Sequence, residues 1–215
     1  VMSELFPHLA KVADELTVVR SMKTNEINHG SGELFLHTGL GRLGRPTFGA
    51  WTSYGLGTEN KDLPSYVVLK DLHPNAGASA WSSGFLPSKH QGVLFRTGSR
   101  PLFYLDNPKH VTKAERGDVI GAIGKLNSLA FDRYHDPEIQ TRIAQYELAY
   151  RMQTSVPDLI DLSNEPDHIF ELYGQDARRR GSYAYNCLLA RRMAERGGRF
   201  IQLFHMGWDQ HGALP

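Results

Sequence analysis

Three side chains that bind divalent metals, His205, Asp209 and His211, fall within the short stretch Phe204–Gly212, read Phe-His-Met-Gly-Trp-Asp-Gln-His-Gly. Imidazole and carboxylate suit zinc or a similar divalent ion. Gly207 and Gly212 allow the backbone to fold tightly around such an ion. Asp209 and His211 stand two residues apart, so they share a face if extended or converge from a turn. Two or three ligands do not complete a metal centre, so others must come from elsewhere in the chain. A polar loop with incidental histidines would have the same spacing.

A second cluster lies at Asn25–His37. His29 sits on a polar turn just before a short helix, whose amino end would direct N–H groups at a bound anion. Asn28 could donate a hydrogen bond there or act as a cap. Arg45 follows in a Gly-rich loop as a second candidate anion contact, and His37 reads as structural.

Other patterns carry less chemistry. Cys187-Leu-Leu-Ala-Arg191 resembles the Cys-x-Pro-x-Arg signature of sulfatases, but it lacks the proline and lies in an expected helix, as a buried structural cysteine would. With a single cysteine, an internal disulfide and a Cys-rich zinc site are both excluded. The glycines at Gly39-Leu-Gly41 and Gly55-Leu-Gly57 follow helices rather than strands, so no dinucleotide fingerprint is present. Lys+Arg 24 against Asp+Glu 23 leaves almost no net charge, which argues against nucleic acid as a partner. No apolar run approaches the roughly 20 residues of a membrane span.

The elements that must position these residues follow a helix–strand rhythm over 215 residues, enough for one large α/β domain. The spacing predicts an amphipathic helix over Ser3–Glu15, a strand over Leu16–Ser21, and a short helix over Gly32–Thr38 capped by Ser31. A second short helix is expected over Thr47–Tyr54 with Phe48, Trp51 and Tyr54 buried, then a strand over Leu63–Leu69. Residues 70–110 read as an irregular insertion with short strands near Gly92–Phe95 and Pro101–Leu105, either a functional loop or an ordered surface excursion pinned by Trp81, Phe85 and Phe95. Helices follow over Val111–Tyr134, from Asp136 to about Thr154, over Pro166–Tyr173 and over Ser182–Arg196. In the Asp136 helix Glu147 and Arg151 form an i,i+4 pair, and Met152 reads as core. Gly197-Gly198 leads into a final strand, Arg199–His205, which places the His205–His211 loop at a strand's carboxyl end, where open α/β sheets hold ligands.

Six stretches carry a resemblance: Ile27–Gly39, Gly44–Gly57, Ala78–Phe95, Tyr146–Ser163, Asn186–Leu203 and Gly207–His211. Along essentially its whole length the chain resembles the bacterial "domain of unknown function 1501" family, which is similar in architecture to the alkaline phosphatase and sulfatase superfamily. The resemblance implies a mostly parallel sheet flanked by helices, in an incomplete alkaline phosphatase-like domain spanning 1–215. It implies a metal-dependent hydrolase of sulfate or phosphate esters, with a divalent zinc, calcium, magnesium or manganese ion. It also implies an anionic small-molecule or glycan ester as substrate and a periplasmic or secreted location. In that superfamily the nucleophile lies nine residues before a Thr-Gly that matches Thr38-Gly39, and His29 occupies that position here. A histidine there could be a metal ligand, a general acid/base or a phosphate-accepting nucleophile, with Thr24 and Ser31 as neighbouring hydroxyls. The Asp–His loop of the superfamily matches Asp209 and His211. Members extend past both ends of this chain, so a larger parent or partner chains are expected to complete the centre. A non-catalytic anion- or glycan-binding protein that keeps the fold is the alternative, and a mutase a third.

Overall fold

A computed structural model describes residues 2–96, 101–102, 105–208 and 212. At its centre lie three parallel strands, β1 (Tyr66–Lys70), β2 (Val93–Phe95) and β3 (Phe200–Phe204), in the order β2–β1–β3. Val67 is opposite Val93 and Ile201, and Leu69 opposite Phe95 and Leu203. β1 is apolar and buried from Tyr66 to Leu69, where both its faces are covered as parallel sheets require, and ends in the half-buried Lys70.

Helices flank both faces. In chain order they are α1 (Pro7–Ala10), α2 (His29–Thr38), α3 (Phe48–Leu56), α4 (Lys113–Tyr134), α5 (Pro137–Ile160), α6 (Asp167–Tyr173) and α7 (Tyr183–Glu195). On one face Val67, Leu69 and Phe95 meet Met152, Val156 and Leu159 of α5 and Tyr185, Leu189 and Met193 of α7. Met152 is therefore core, as its spacing predicts. Each such side chain, fully buried, contributes about 1.5–3 kcal/mol. On the other face Tyr66 and Val68 pack with Ala80 and Trp81. α3 approaches this face so closely that a Cβ on Gly49 would stand 2.5 Å from the Tyr66 ring and 2.7 Å from Phe200. The mixed α/β class is as expected from the sequence.

Several local expectations are corrected. The helix expected over Ser3–Glu15 is only the single turn α1 and a 3₁₀ turn, Ala13–Glu15. Leu5, Leu9, Val12 and Leu16 remain exposed, and a short helix without a packed face has little to hold it. Leu16–Ser21 joins no ladder, and Val18 and Val19 face solvent. α2 begins at His29 rather than Gly32, because Asn28 and not Ser31 is the cap: its Oδ1 accepts from the Gly30 N–H at 3.0 Å. In α3 the buried residues are Gly49, Ala50 and Ser53, while Phe48, Trp51 and Tyr54 stay exposed. The small residues face the sheet because only they allow the close approach. α5 continues past Thr154 to Ile160 with Pro157 inside it. Of the insertion's anchors, Trp81 and Phe95 are buried and Phe85 is 69% exposed. The strand expected at Pro101–Leu105 includes Phe103 and Tyr104, which lie outside the described residues.

Two connections fix the site's surroundings. α4 starts with a reciprocal capping box between Thr112 and Glu115 and packs along α5 as a helical hairpin. α7, capped by Ser182, runs back to Gly198 and β3, which brings its amino end over the carboxyl end of the sheet.

Candidate active site at the carboxyl rim

β1 and β3 end side by side, Lys70 opposite Phe204, and the next residues of the two strands meet. His205 hydrogen-bonds through Nδ1 to Asp71 Oδ2. The other oxygen, Oδ1, accepts the Leu72 N–H at 2.6 Å and the Met206 N–H at 3.3 Å. Burial pushes the Asp71 carboxyl up, but the His205 ring and these two N–H groups outweigh it and hold it below the ordinary carboxylate value. Asp71 therefore stays ionised and braces the loop that follows β3.

Aromatic rings hold the imidazole from its flanks. Tyr183, the first residue of α7, stacks on His205 with centroids 4.3 Å apart and planes 21° apart. Trp208 meets it edge-on at 5.9 Å and faces Phe6 at 6.1 Å. Burial, together with hydrogen bonding to Cys187 and the nearby Asp71 charge, pushes the Tyr183 phenol up. The Cys187 thiol is half-buried rather than buried, and burial raises it too, so it is not poised as a nucleophile.

With Nδ1 committed to Asp71, His205 keeps Nε2 for another partner. A carboxylate on the far ring nitrogen is the usual support of a metal-binding histidine, so this pair fits a divalent ion. Among the described residues no three His, Cys, Asp or Glu side chains gather as a metal cage. Asp209 and His211 lie outside the described residues.

α2 runs along the opposite face of β3. His29, Glu33 and His37 share one side of it, a turn apart each. His37 lies against the Phe204 ring at 5.4 Å and 3.4 Å from the Gln202 amide, and burial lowers its pKa despite the nearby Glu33. It is structural, as expected. One turn earlier, the Glu33 carboxylate accepts the N–H groups of Asn75, at 3.1 Å, and Ala76, at 2.6 Å, beyond the end of β1. The helix thus points its amino end, with His29 first, past the carboxyl ends of the strands. Glu33, His37 and His205 line one open groove of about 560 Å³. Arg45 sits elsewhere, beside Thr38 in a cleft of about 200 Å³ at the carboxyl end of α2. At about 1.5 Å per residue, that end is roughly 13 Å along the axis from His29. A Cβ on Gly30, next to His29, would stand 3.8 Å from the Asn75 carbonyl oxygen in the segment after β1, while Arg45 lies beside the other end of α2.

Sequence reasoning missed Asp71 and Tyr183. Asp71 directly follows the Val-Val-Leu-Lys run of β1, and an acid at that point of a buried strand was the available signal. Tyr183 carried no signal beyond its place after a helix cap.

No curated protein and no solved structure matches the chain. A match over residues 1–215 places it in DUF1501, described as a protein family of unknown function, and the chain belongs to that family.

Proposed function

We propose that the carboxyl rim is the active site of a metal-dependent hydrolase of sulfate or phosphate esters, built on an alkaline phosphatase/sulfatase-like sheet. The observation that carries this reading is the Asp71–His205 pair at the ends of adjacent parallel strands, immediately before Gly207-Trp-Asp-Gln-His211. His205 through Nε2, with Asp209 and His211, would hold a divalent zinc, calcium, magnesium or manganese ion, and Asp71 would orient the imidazole. Such an ion, when bound, polarises the ester oxygen. His29 at the amino end of α2 would hold or deliver a proton at the reacting group, or accept the group itself. The helix amino end, with Asn28 beside it, favours the anionic ester. The substrate is an anionic small-molecule or glycan ester, and the location periplasmic or secreted. No described helix is long and apolar enough to cross a membrane.

Elemental analysis combined with a screen of aryl sulfates and aryl phosphates tests the reading. Metal-dependent turnover lost in His205→Ala and His29→Ala is expected. Anion binding without turnover would instead identify a binding protein that keeps the fold, and neither metal nor turnover would refute the hydrolase.

A further inference from the structure

Past the carboxyl end of α2 the chain turns through Gly39-Leu-Gly-Arg-Leu-Gly44 and brings two arginines, Arg42 and Arg45, to one cleft of about 200 Å³. The backbone fixes Arg45 there. Buried Thr47, two residues on, directs both its N–H and its hydroxyl to the Ser82 carbonyl oxygen at 3.1 Å. Gly84, at φ +56°, lets the chain pass so closely that a Cβ on it would stand 2.4 Å from the Arg45 carbonyl carbon. The two segments are thereby locked side by side, and Ser79 and Ser82 line the cleft together with the arginines.

The polar lining is rich in donors, and no acidic side chain belongs to it. Among the described residues neither guanidinium has an ion pair or a hydrogen bond, and the Ser79 hydroxyl has no partner. Ser82 Oγ accepts the Gly84 N–H at 3.0 Å and keeps its own hydrogen to donate. The Glu26 carboxylate packs against Gly41, the residue before Arg42, yet pairs with neither arginine. Cations also favour the carboxyl end of a helix. α2 nevertheless caps itself without them: the Gly39 N–H goes to the Phe35 carbonyl, and the Thr38 hydroxyl to that of Leu34 at 2.7 Å. Two guanidiniums in a cleft without a carboxylate repel each other until an anion lies between them. Each offers a planar fork of donors matched to a tetrahedral oxyanion. The cleft is smaller than the roughly 300–1,000 Å³ of sites for drug-sized ligands, so its occupant is a small anionic group.

We propose that Arg42 and Arg45, with the Ser79 and Ser82 hydroxyls, form a second anion site that takes a sulfate- or phosphate-sized oxyanion, free or as the charged end of an ester. It lies at the opposite end of α2 from His29 and does not rest on the hydrolase reading. Arg45 thereby keeps the anion contact that its Gly-rich loop suggests, at a site of its own.

Titration calorimetry at low ionic strength, with inorganic sulfate and inorganic phosphate in separate arms, tests the site on wild type, Arg42→Gln, Arg45→Gln and His205→Ala. Saturable binding of one of the two anions is expected. Loss of a charge-assisted contact should weaken it by about tenfold or more in each Gln variant, and His205→Ala should leave it unchanged. Phenyl sulfate and phenyl phosphate, run beside the inorganic ions, separate the sources. An ester that binds as tightly as its inorganic ion marks the charged end of an ester as the occupant, and a much weaker ester marks the free ion. A second readout needs no variant: the preferred anion should protect Arg42 and Arg45 of the wild-type chain from phenylglyoxal, read by peptide mass spectrometry. Binding that survives both Gln substitutions, with both arginines unprotected, would place the anion elsewhere and overturn the site. A wild type that binds neither anion in the millimolar range would overturn it as well. Binding that depends on Arg42 and Arg45 in a chain without metal or turnover would keep this site and overturn the hydrolase.

Discussion

The imidazole of His205, one residue beyond β3, is hydrogen-bonded through Nδ1 to the carboxylate of Asp71, one residue beyond β1. Two strand ends are thereby tied together by the groups that would do chemistry there. Asp71→Asn keeps the shape of the side chain and loses its charge. If Asp71 orients His205 toward a metal, the variant should lose about 10–100-fold in metal affinity. Competition with a chromophoric chelator measures this, and unchanged affinity would leave Asp71 a purely structural brace.

The approach of α3 to the sheet depends on Gly49. A Cβ there would press into the rings of Tyr66 and Phe200, both in the layer beneath the groove. Gly49→Ala should destabilise the fold by about 1–3 kcal/mol through overpacking. Urea denaturation reads the change, and a loss below about 0.5 kcal/mol, the usual size of a surface substitution, would contradict the packing described.

Glu165 anchors α7 from the loop after α5. Its carboxylate is 8% exposed and bonds Arg191 at 2.7 Å and also Arg192. Arg192 reaches the carbonyl oxygens of Leu159 and Asp158 as well, at 2.9 and 3.0 Å. Burial pushes the Glu165 carboxyl up, but the two guanidiniums more than offset this and hold it below its ordinary value of 4.5. A carboxyl depressed in the folded state stabilises fully above its unfolded value and ceases to do so as the pH falls through the folded one. The wild type should therefore lose stability below about pH 4.5, the unfolded reference. Glu165→Gln should cost about 1–3 kcal/mol at neutral pH, since Arg192 keeps its two carbonyl contacts and Arg191 its pair with Glu195, and should flatten that part of the acid dependence. Denaturant unfolding from pH 7 to pH 3 checks both; an acid limb identical in the two proteins would rule out Glu165 as its source.

Much of this arrangement was legible in the residues, and the exceptions share a cause. β1, β3 and the helix before β3 announce themselves through apolar runs, a cap at Ser182 and the Gly197-Gly198 stop. His205 could be placed at a strand end because Gly-Gly and the apolar run fixed where the strand lies. Asp71 stayed hidden because its partner is 134 positions away, and local periodicity holds no information on which strands are neighbours. The same gap explains Leu16–Ser21, whose β-branched residues favour a strand but cannot supply the ladder it would join. In α3 the aromatic residues suggested the wrong face, because close helix–sheet contact selects small side chains over apolar ones.

The most direct test of a metal-dependent rim is the metal retained per chain by wild type and by His205→Ala after equilibration with zinc or manganese and removal of free ion. The account predicts about one equivalent or more in the wild type, with tetrahedral or octahedral ligation by His and Asp, and a clear loss in the variant. A wild type that retains no ion, or a His205→Ala chain that retains as much as the wild type, would contradict it.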